Sequence, residues 1–133
     1  MKTIILETKS RTELIDITAA VQKALSGQQA QDGFCLVYTP HTTAAITINE
    51  NADPDVPRDI VFALEKAVPF SASYRHAEGN SAAHVKSSLV GASELVIVEG
   101  GRLVLGTWQA VFFCEFDGPR TRKVFVKFIA GAR

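Results

Sequence analysis

Three histidines, His41, His76 and His84, occupy settings where side-chain chemistry is plausible on residue type alone. His41 follows Pro40 and opens an alternating run. His76 lies in the polar loop Tyr74-Arg-His-Ala-Glu-Gly-Asn, and His84 follows Asn80 by about one helical turn. Neutral imidazole is a common ligand for zinc and similar ions. Three protein nitrogens with one open position can polarise a bound oxygen or activate water. The spacings match no recognised zinc signature, so the plain alternative is three unrelated histidines on surface or core edges.

Two polar clusters accompany them. Arg75, Glu78 and Asn80 crowd the loop before a helix start, where a guanidinium and free backbone N–H groups suit a phosphate or carboxylate. A merely solvated loop has the same composition. Further back, Asn49, Glu50, Asn51 and Asp53 stand together. Asp53 precedes Pro54 and reads as a helix cap. Glu50 has no such structural task, which makes it the carboxylate to orient a histidine or take a proton.

Positioning these groups requires defined elements. Residues 41–49 alternate, with Ala44, Ile46 and Ile48 on one face and His41, Thr43, Ala45, Thr47 and Asn49 on the other. As one extended strand, this run points His41, Thr43, Thr47 and Asn49 the same way. A helix follows from Asp53-Pro54 to Pro69, with Val56, Ile60, Ala63, Leu64, Ala67 and Val68 as its apolar stripe. Pro57 fits only within the first turn of that helix. After the loop 71–80, Asn80 or Ser81 caps a short helix through Leu89, closed by Gly91.

The remaining pattern supplies the frame. Strands are expected over 3–7, 13–17, 34–38, 94–98, 102–105, 108–116 and 122–129, and a helix capped by Thr18 runs to Gly27. Trp108 shares a face with Ala110, Phe112, Cys114 and Phe116, which assigns it to the core or a subunit contact. Gln109 shares the other face with Val111, Phe113 and Glu115, where it could line a pocket. Both faces of that strand want cover, which hints at an oligomer.

Length and composition bound the rest. A chain of 133 residues, 47% hydrophobic and 21% charged, suits one folded domain over 1–133. Zero net charge argues against a general nucleic-acid binder. The acid-free basic stretch Arg120, Arg122, Lys123, Lys127 and Arg133 interleaves with Val124, Phe125, Val126 and Phe128, as in a strand with cationic edges. Cys35 and Cys114 sit in apolar runs with no CxxC pair, which reads as two reduced, buried thiols of a cytoplasmic protein. The start, MKTIILETKSRTELI, is too short and too broken in its apolar run for a secretory signal. No run approaches the roughly 18 apolar residues of a membrane span. The expectation is a soluble α+β domain, with a sheet of mostly antiparallel strands and about three helices packed on it.

Several stretches together resemble the YjbQ family. They are the run from His41-Thr-Thr-Ala-Ala-Ile-Thr-Ile to Asn51-Ala-Asp-Pro-Asp-Val, then Tyr74-Arg-His-Ala-Glu-Gly-Asn, Ala83-His-Val-Lys, Gly101-Arg-Leu-Val-Leu-Gly-Thr-Trp-Gln and Cys114-Glu-Phe-Asp-Gly-Pro-Arg. The resemblance spans nearly the whole chain. It implies a compact α+β homotrimer with a weak, secondary thiamine-phosphate synthase activity. That reaction couples hydroxymethylpyrimidine pyrophosphate to hydroxyethylthiazole phosphate and releases pyrophosphate. A metal-dependent phosphohydrolase and a non-catalytic trimeric ligand-binding protein are the alternatives. The chain departs from the family pattern at Ala77, where Thr is frequent, at Ala82, where Asp is common, and at Pro57, where a basic residue is usual.

Combined with the residue reading, this gives a definite set of expectations. His41, His76 and His84 hold a divalent metal ion, zinc-like by its imidazole ligands or Mg²⁺ for a pyrophosphate substrate. Glu50, His76 and Arg75 carry the chemistry, with Arg102 a further cationic donor. Thr42, Thr43, Asn49, Glu78, Asn80 and Gln109 bind a phosphorylated small molecule. No nucleic acid and no membrane is involved.

Overall fold

Period-two hydrophobicity places the chain in two antiparallel sheets packed face to face. The computed structural model describes residues 1–132, so Arg133 of the basic stretch lies outside the described residues. In chain order the elements are β1 (Lys2–Glu7), β2 (Glu13–Asp16), α1 (Thr18–Ser26), β3 (Gly33–Tyr38), β4 (Ala44–Glu50), α2 (Asp55–Ala67), α3 (Ser81–Val90), β5 (Ser93–Glu99), β6 (Arg102–Leu103), β7 (Gln109–Glu115) and β8 (Thr121–Ala130). A five-stranded sheet runs β1-β8-β3-β5-β6 and a three-stranded sheet runs β2-β7-β4. Every pairing is antiparallel. The fold is thus α+β with three helices, as expected, but its strands divide between two sheets instead of forming one.

The main core lies between those sheets. Cys35, Val37, Val96, Val98, Val124 and Val126 of the larger sheet meet Ala44, Ile46, Val111 and Phe113 of the smaller one, and α1 adds Val21 and Leu25. The second face of the small sheet carries Ala45, Cys114 and Phe116, which pack on Ala83 of α3 and Leu64 of α2. Both faces of β7 are therefore covered within the chain, with Phe112 and Phe113 fully buried. That removes the expectation that this strand needs a second subunit for cover. Burial of Cys35 and Cys114 pushes their thiols up to about 11 and about 12, which keeps them protonated and unreactive at neutral pH.

Local chemistry sets the helix ends. Thr18 is the first helical residue, and Asp16 accepts its N–H at 2.9 Å and its hydroxyl at 2.6 Å. The Thr18 Oγ1 also accepts the Val111 N–H at 2.9 Å, which ties α1 to β7. Pro57 falls in the first turn of α2, where its missing N–H costs nothing. Asp53 accepts the Asp55 N–H at 2.9 Å in the turn just before it. No side chain of α2 is fully buried. The helix is pinned instead by Glu65, which accepts a 2.6 Å bond from the buried Lys86 of α3.

Two apolar features face outward. Trp108 precedes β7 and is 63% exposed, so it is not a core residue. The outer face of the five-stranded sheet presents Ile97, Phe34 and Ile129 side by side in register, with Leu95 beside them, all exposed. Among the described residues no helix is long and apolar enough to cross a membrane.

Candidate functional site

The strand expected to begin at His41 begins at Ala44, and His41, Thr42 and Thr43 form the turn that leads into it. The alternation reading therefore fails for His41. Its ring is set by a partner 82 positions away, because the Lys123 backbone N–H donates to His41 Nε2 at 2.9 Å. Accepting there leaves the ring proton on Nδ1 and makes that nitrogen a donor. Burial, then the Arg122 guanidinium, lowers the His41 pKa below its ordinary value, with Lys123 and Arg120 adding to this against Glu115.

A cavity of about 390 Å³ gathers all three imidazoles. His76 comes from the loop and His84 from the first turn of α3, and their rings meet edge to face with centroids 5.5 Å apart. Thr42, Thr43, Glu78 and Asn80 also line it. Glu78 stands 3.9 Å from His76 Nε2. Asn80 occupies the cap position of α3 but forms no capping bond. Its Nδ2 donates to Asp117 at 2.9 Å instead.

Other expected residues are not brought there. Glu50 and Gln109 face each other at the opposite end of the β4–β7 pair. Glu50 lies seven positions beyond Thr43, at the far end of β4, about 23 Å away at normal strand rise. Asn49 accepts the Glu50 N–H at 2.7 Å and stays at that end. Arg75 lies exposed in its loop and does not line the cavity. Arg102 lines a separate cleft of about 800 Å³ beside α1. The amide of Gln22 in that cleft is already engaged, donating to Gly101 O and accepting the Leu103 N–H. The cleft is lined by the cations Lys23 and Arg102 but by none of the three imidazoles.

Three residues completing the cavity were not among the expected site residues: Asp117, and Arg120 and Arg122 of the basic stretch. Arg120 donates to Asp117 through Nε at 2.8 Å and Nη2 at 3.0 Å. Arg122 is 3% exposed and Glu115 is 0% exposed. Arg122 Nε donates to Glu115 Oε1 at 2.8 Å, and Nη2 donates to Glu115 Oε2 and to Thr43 Oγ1. The Thr8 hydroxyl and the Asp117 N–H complete the shell of the carboxylate. Burial raises the Glu115 pKa, but the bonds from Arg122, the Asp117 N–H and Thr8 outweigh it and hold the carboxyl below its ordinary value. Arg122 Nη1 makes none of these bonds. A signal for this pair was present, since alternation in β8 puts Arg122 on the same face as Val124 and Val126, and that in β7 puts Glu115 with Val111 and Phe113. Charges at core-facing positions require each other.

The turn between β7 and β8 holds the guanidiniums in place. A Cβ on Gly118 would lie 2.3 Å from Ser10 O and 2.8 Å from both Glu115 Cγ and Thr8 Oγ1. Gly118→Ala is expected to destabilise the fold by about 1–3 kcal/mol through this overpacking, read in a urea melt. An unchanged midpoint would show that the turn can move aside.

The metal expectation can be tested against this geometry. Among the described residues no three His, Cys, Asp or Glu side chains gather as an ion's ligand set. The Nε2 lone pair of His41 is occupied, and its other nitrogen carries the proton. A three-imidazole centre does not fit the residues as placed, and no step is derived through one. What the cavity offers is the guanidiniums of Arg120 and Arg122 and the three imidazoles, beside the carboxylates of Glu78 and Asp117; the guanidiniums suit an oxyanion. In a ring-nitrogen NMR titration, His41 should show the Nδ1–H tautomer and a midpoint below about 6.5. An Nε2–H tautomer would contradict the geometry.

A second cavity of about 480 Å³ adjoins the first. It shares His41, Thr42 and His84 with it and extends past Ser87 to Tyr38. Two concavities thus meet at one pair of imidazoles.

Comparison with known proteins places the chain among relatives. The family described as UPF0047 protein YjbQ-like matches residues 2–131. UPF0047 protein YugU of Bacillus subtilis is 55% identical, over 96% of this chain and 97% of its own length. A UPF0047 protein of Methanocaldococcus jannaschii is 52% identical, over 93% of this chain and 90% of its own. The crystal structure of a YjbQ/UPF0047 family protein of Clostridium acetobutylicum superimposes with a TM-score of 0.95 at 54% identity, covering 97% of this chain and all of that one. With its sequence matched from end to end and its fold superimposed on a solved relative, this chain belongs to the YjbQ/UPF0047 family.

Proposed function

We propose that the chain is a transferase of the thiamine-phosphate synthase type, weak and secondary in activity. It would couple a hydroxymethylpyrimidine pyrophosphate to a hydroxyethylthiazole phosphate. The observation that carries this reading is the pair of adjoining cavities sharing His41, Thr42 and His84. A coupling of two ligands needs two neighbouring subsites, whereas a hydrolase needs one and a water.

The donor-rich cavity takes the pyrophosphate. Arg120, Arg122 and the His41 Nδ1–H neutralise the charge that grows on it as it leaves. The bond from the pyrimidine methylene carbon to the bridging oxygen breaks, and pyrophosphate departs with the electron pair. The thiazole nitrogen, held in the second cavity, gives its lone pair to the methylene carbon and becomes a thiazolium. That nitrogen carries no proton, so the step requires no general base. The remoteness of Glu50 is therefore compatible with this chemistry. Hydrolysis would instead use one of the bases in this cavity, His76, His84 or Glu78, on a water, and it would leave the adjoining cavity without a role. The divalent ion enters this proposal as Mg²⁺ carried on the pyrophosphate oxygens of the substrate.

A homotrimer belongs to the same proposal. The open apolar face formed by Phe34, Leu95, Ile97 and Ile129 supports it, since exposed apolar area of this kind marks an association surface. A cytoplasmic, reducing setting is supported by the two buried free thiols.

The test is product analysis with each precursor alone and with both together. Coupled thiazolium product that requires both is expected. Pyrophosphate-bond cleavage from the pyrimidine alone would indicate a hydrolase, and binding without turnover a ligand-binding protein. Either result would overturn the proposal. One zinc-type ion per chain in elemental analysis of chelator-free protein would overturn the substrate-borne ion.

A further inference from the structure

The two adjoining cavities differ in charge, and one helix spans both. α3 begins at the histidine cavity, whose wall includes its cap position Asn80 and its first-turn residue His84. It ends at the second cavity, which is lined by Ser87, Ser88 and Gly91, the residue closing the helix. This ten-residue helix therefore turns the positive end of its dipole to the first cavity and the negative end to the second.

The side chains repeat that polarity. Arg120 and Arg122 stand in the first cavity. Among the described residues no Lys, Arg, Asp or Glu lines the second. Three hydroxyls there have already committed their protons to main-chain carbonyls. Thr39 donates to Lys123 O at 3.1 Å, Ser87 to Ala44 O at 2.6 Å and Ser88 to His84 O at 3.0 Å. Each then has only oxygen lone pairs to offer a ligand. The main-chain N–H groups of Thr39 and Gly91 are likewise engaged, by Ala92 O and Ser87 O. A phosphate or carboxylate placed there would lose its hydration, face lone pairs and the negative end of a helix, and find no cation. A ring that gains positive charge would find the same surroundings favourable.

We propose that the second cavity is a subsite for an uncharged nitrogen base that becomes a cation, and that it discriminates against negative charge on that ligand. This rests on the coupling reading and deepens it. The nitrogen lone pair forms the new bond as the carbon–oxygen bond to pyrophosphate breaks, so one positive and one negative charge appear together. α3 lies along that separation, with pyrophosphate leaving at its N-terminal end and the thiazolium forming at its C-terminal end. The acceptor's own phosphate has no partner in this cavity and is repelled by the pyrophosphate beside it.

The experiment titrates the intact chain by calorimetry, with Mg²⁺ and inorganic pyrophosphate filling the first cavity. Three ligands of one shape are compared: hydroxyethylthiazole, its N-methylthiazolium and its phosphate. The expected order of affinity is thiazolium, then neutral ring, then phosphate, with about tenfold between first and last. Ser88→Lys puts a cation at the C-terminal end of α3 and should reverse the order. The wild-type order stands without the variant, so misfolding of Ser88→Lys cannot hide the answer.

Equal affinity for the three ligands, or a wild-type preference for the phosphate, overturns the inference. So does binding of none of them while pyrophosphate is bound. An order untouched by a folded Ser88→Lys would place the ligands outside this cavity, with the same consequence. Coupled product formed in spite of such results leaves the transferase reading standing. The expected order without any coupled product removes that reading and leaves the subsite.

Discussion

Arg122→Met should lower the unfolding free energy by about 3–5 kcal/mol, the range for removing one partner of a buried ion pair. The reason lies in what is left behind. Glu115 is fully buried and would retain only the Thr8 hydroxyl and the Asp117 N–H. Burial of its charge would then go largely uncompensated. The double variant Arg122→Met with Glu115→Gln should recover much of the loss, because both charges are then gone. Urea melts of the two singles and the double measure this directly. A loss under about 1 kcal/mol in the single would mean that water reaches Glu115.

The pH dependence gives the same pair a second signature. In the native chain the Glu115 pKa is held below its ordinary value. Its contribution to stability is therefore fully present above the unfolded carboxylate value, about 4.3. It is lost as pH falls through the lower folded value. In Arg122→Met the burial effect dominates, and protonation relieves the buried charge. The gap between native and variant stability should therefore narrow on acidification toward pH 4. A gap that widened would show that Arg122, not Glu115, bears the cost of burial.

Arg120→Ala should reduce coupling turnover by about 10²-fold, the effect of removing one preorganised charge donor from a developing anion. Its side chain is 54% exposed and pairs only with Asp117 in the turn, so stability should change little. Glu50→Gln supplies the contrast. Sequence reasoning made Glu50 the acid–base residue, whereas the fold puts it opposite Gln109, far along β4. Its turnover should be unchanged. Loss of activity in Glu50→Gln with retention in Arg120→Ala would relocate the chemistry to the other end of the strand.

How much of this was visible in the chain differs between fold and site. Strand and helix positions were legible because they follow from local periodicity. Residues 94–98 emerged inside Ser93–Glu99, and the Thr18 and Gly27 signals bracketed Thr18–Ser26. The exception was the start of β4. Alternation continues through His41 to Thr43, yet Thr43 O accepts the Phe116 N–H from the end of β7 and the segment turns. Period two reports which side of a strand is apolar, not where its pairing stops. For the same reason the alternation of β7 could not say what covers its second face. Its two apolar faces were correctly read, but the cover for the second comes from α3 and α2 of the same chain.

The site divides along the same line. The amino-acid sequence by itself determined the residue types, the α+β class and the membership of His41, His76 and His84 in one set of motifs. It also contained Arg122 and Glu115 at core-facing positions of their strands. Only the tertiary structure decided which of the polar residues meet. His41 is oriented by Lys123, and Arg122 reaches Thr43, across 82 and 79 positions of chain. Contacts at that separation depend on how two sheets stack and where a turn ends. Local propensity has no term for either, which is why Arg120 and Arg122 read as the cationic edge of a strand and Glu50 looked like a catalyst.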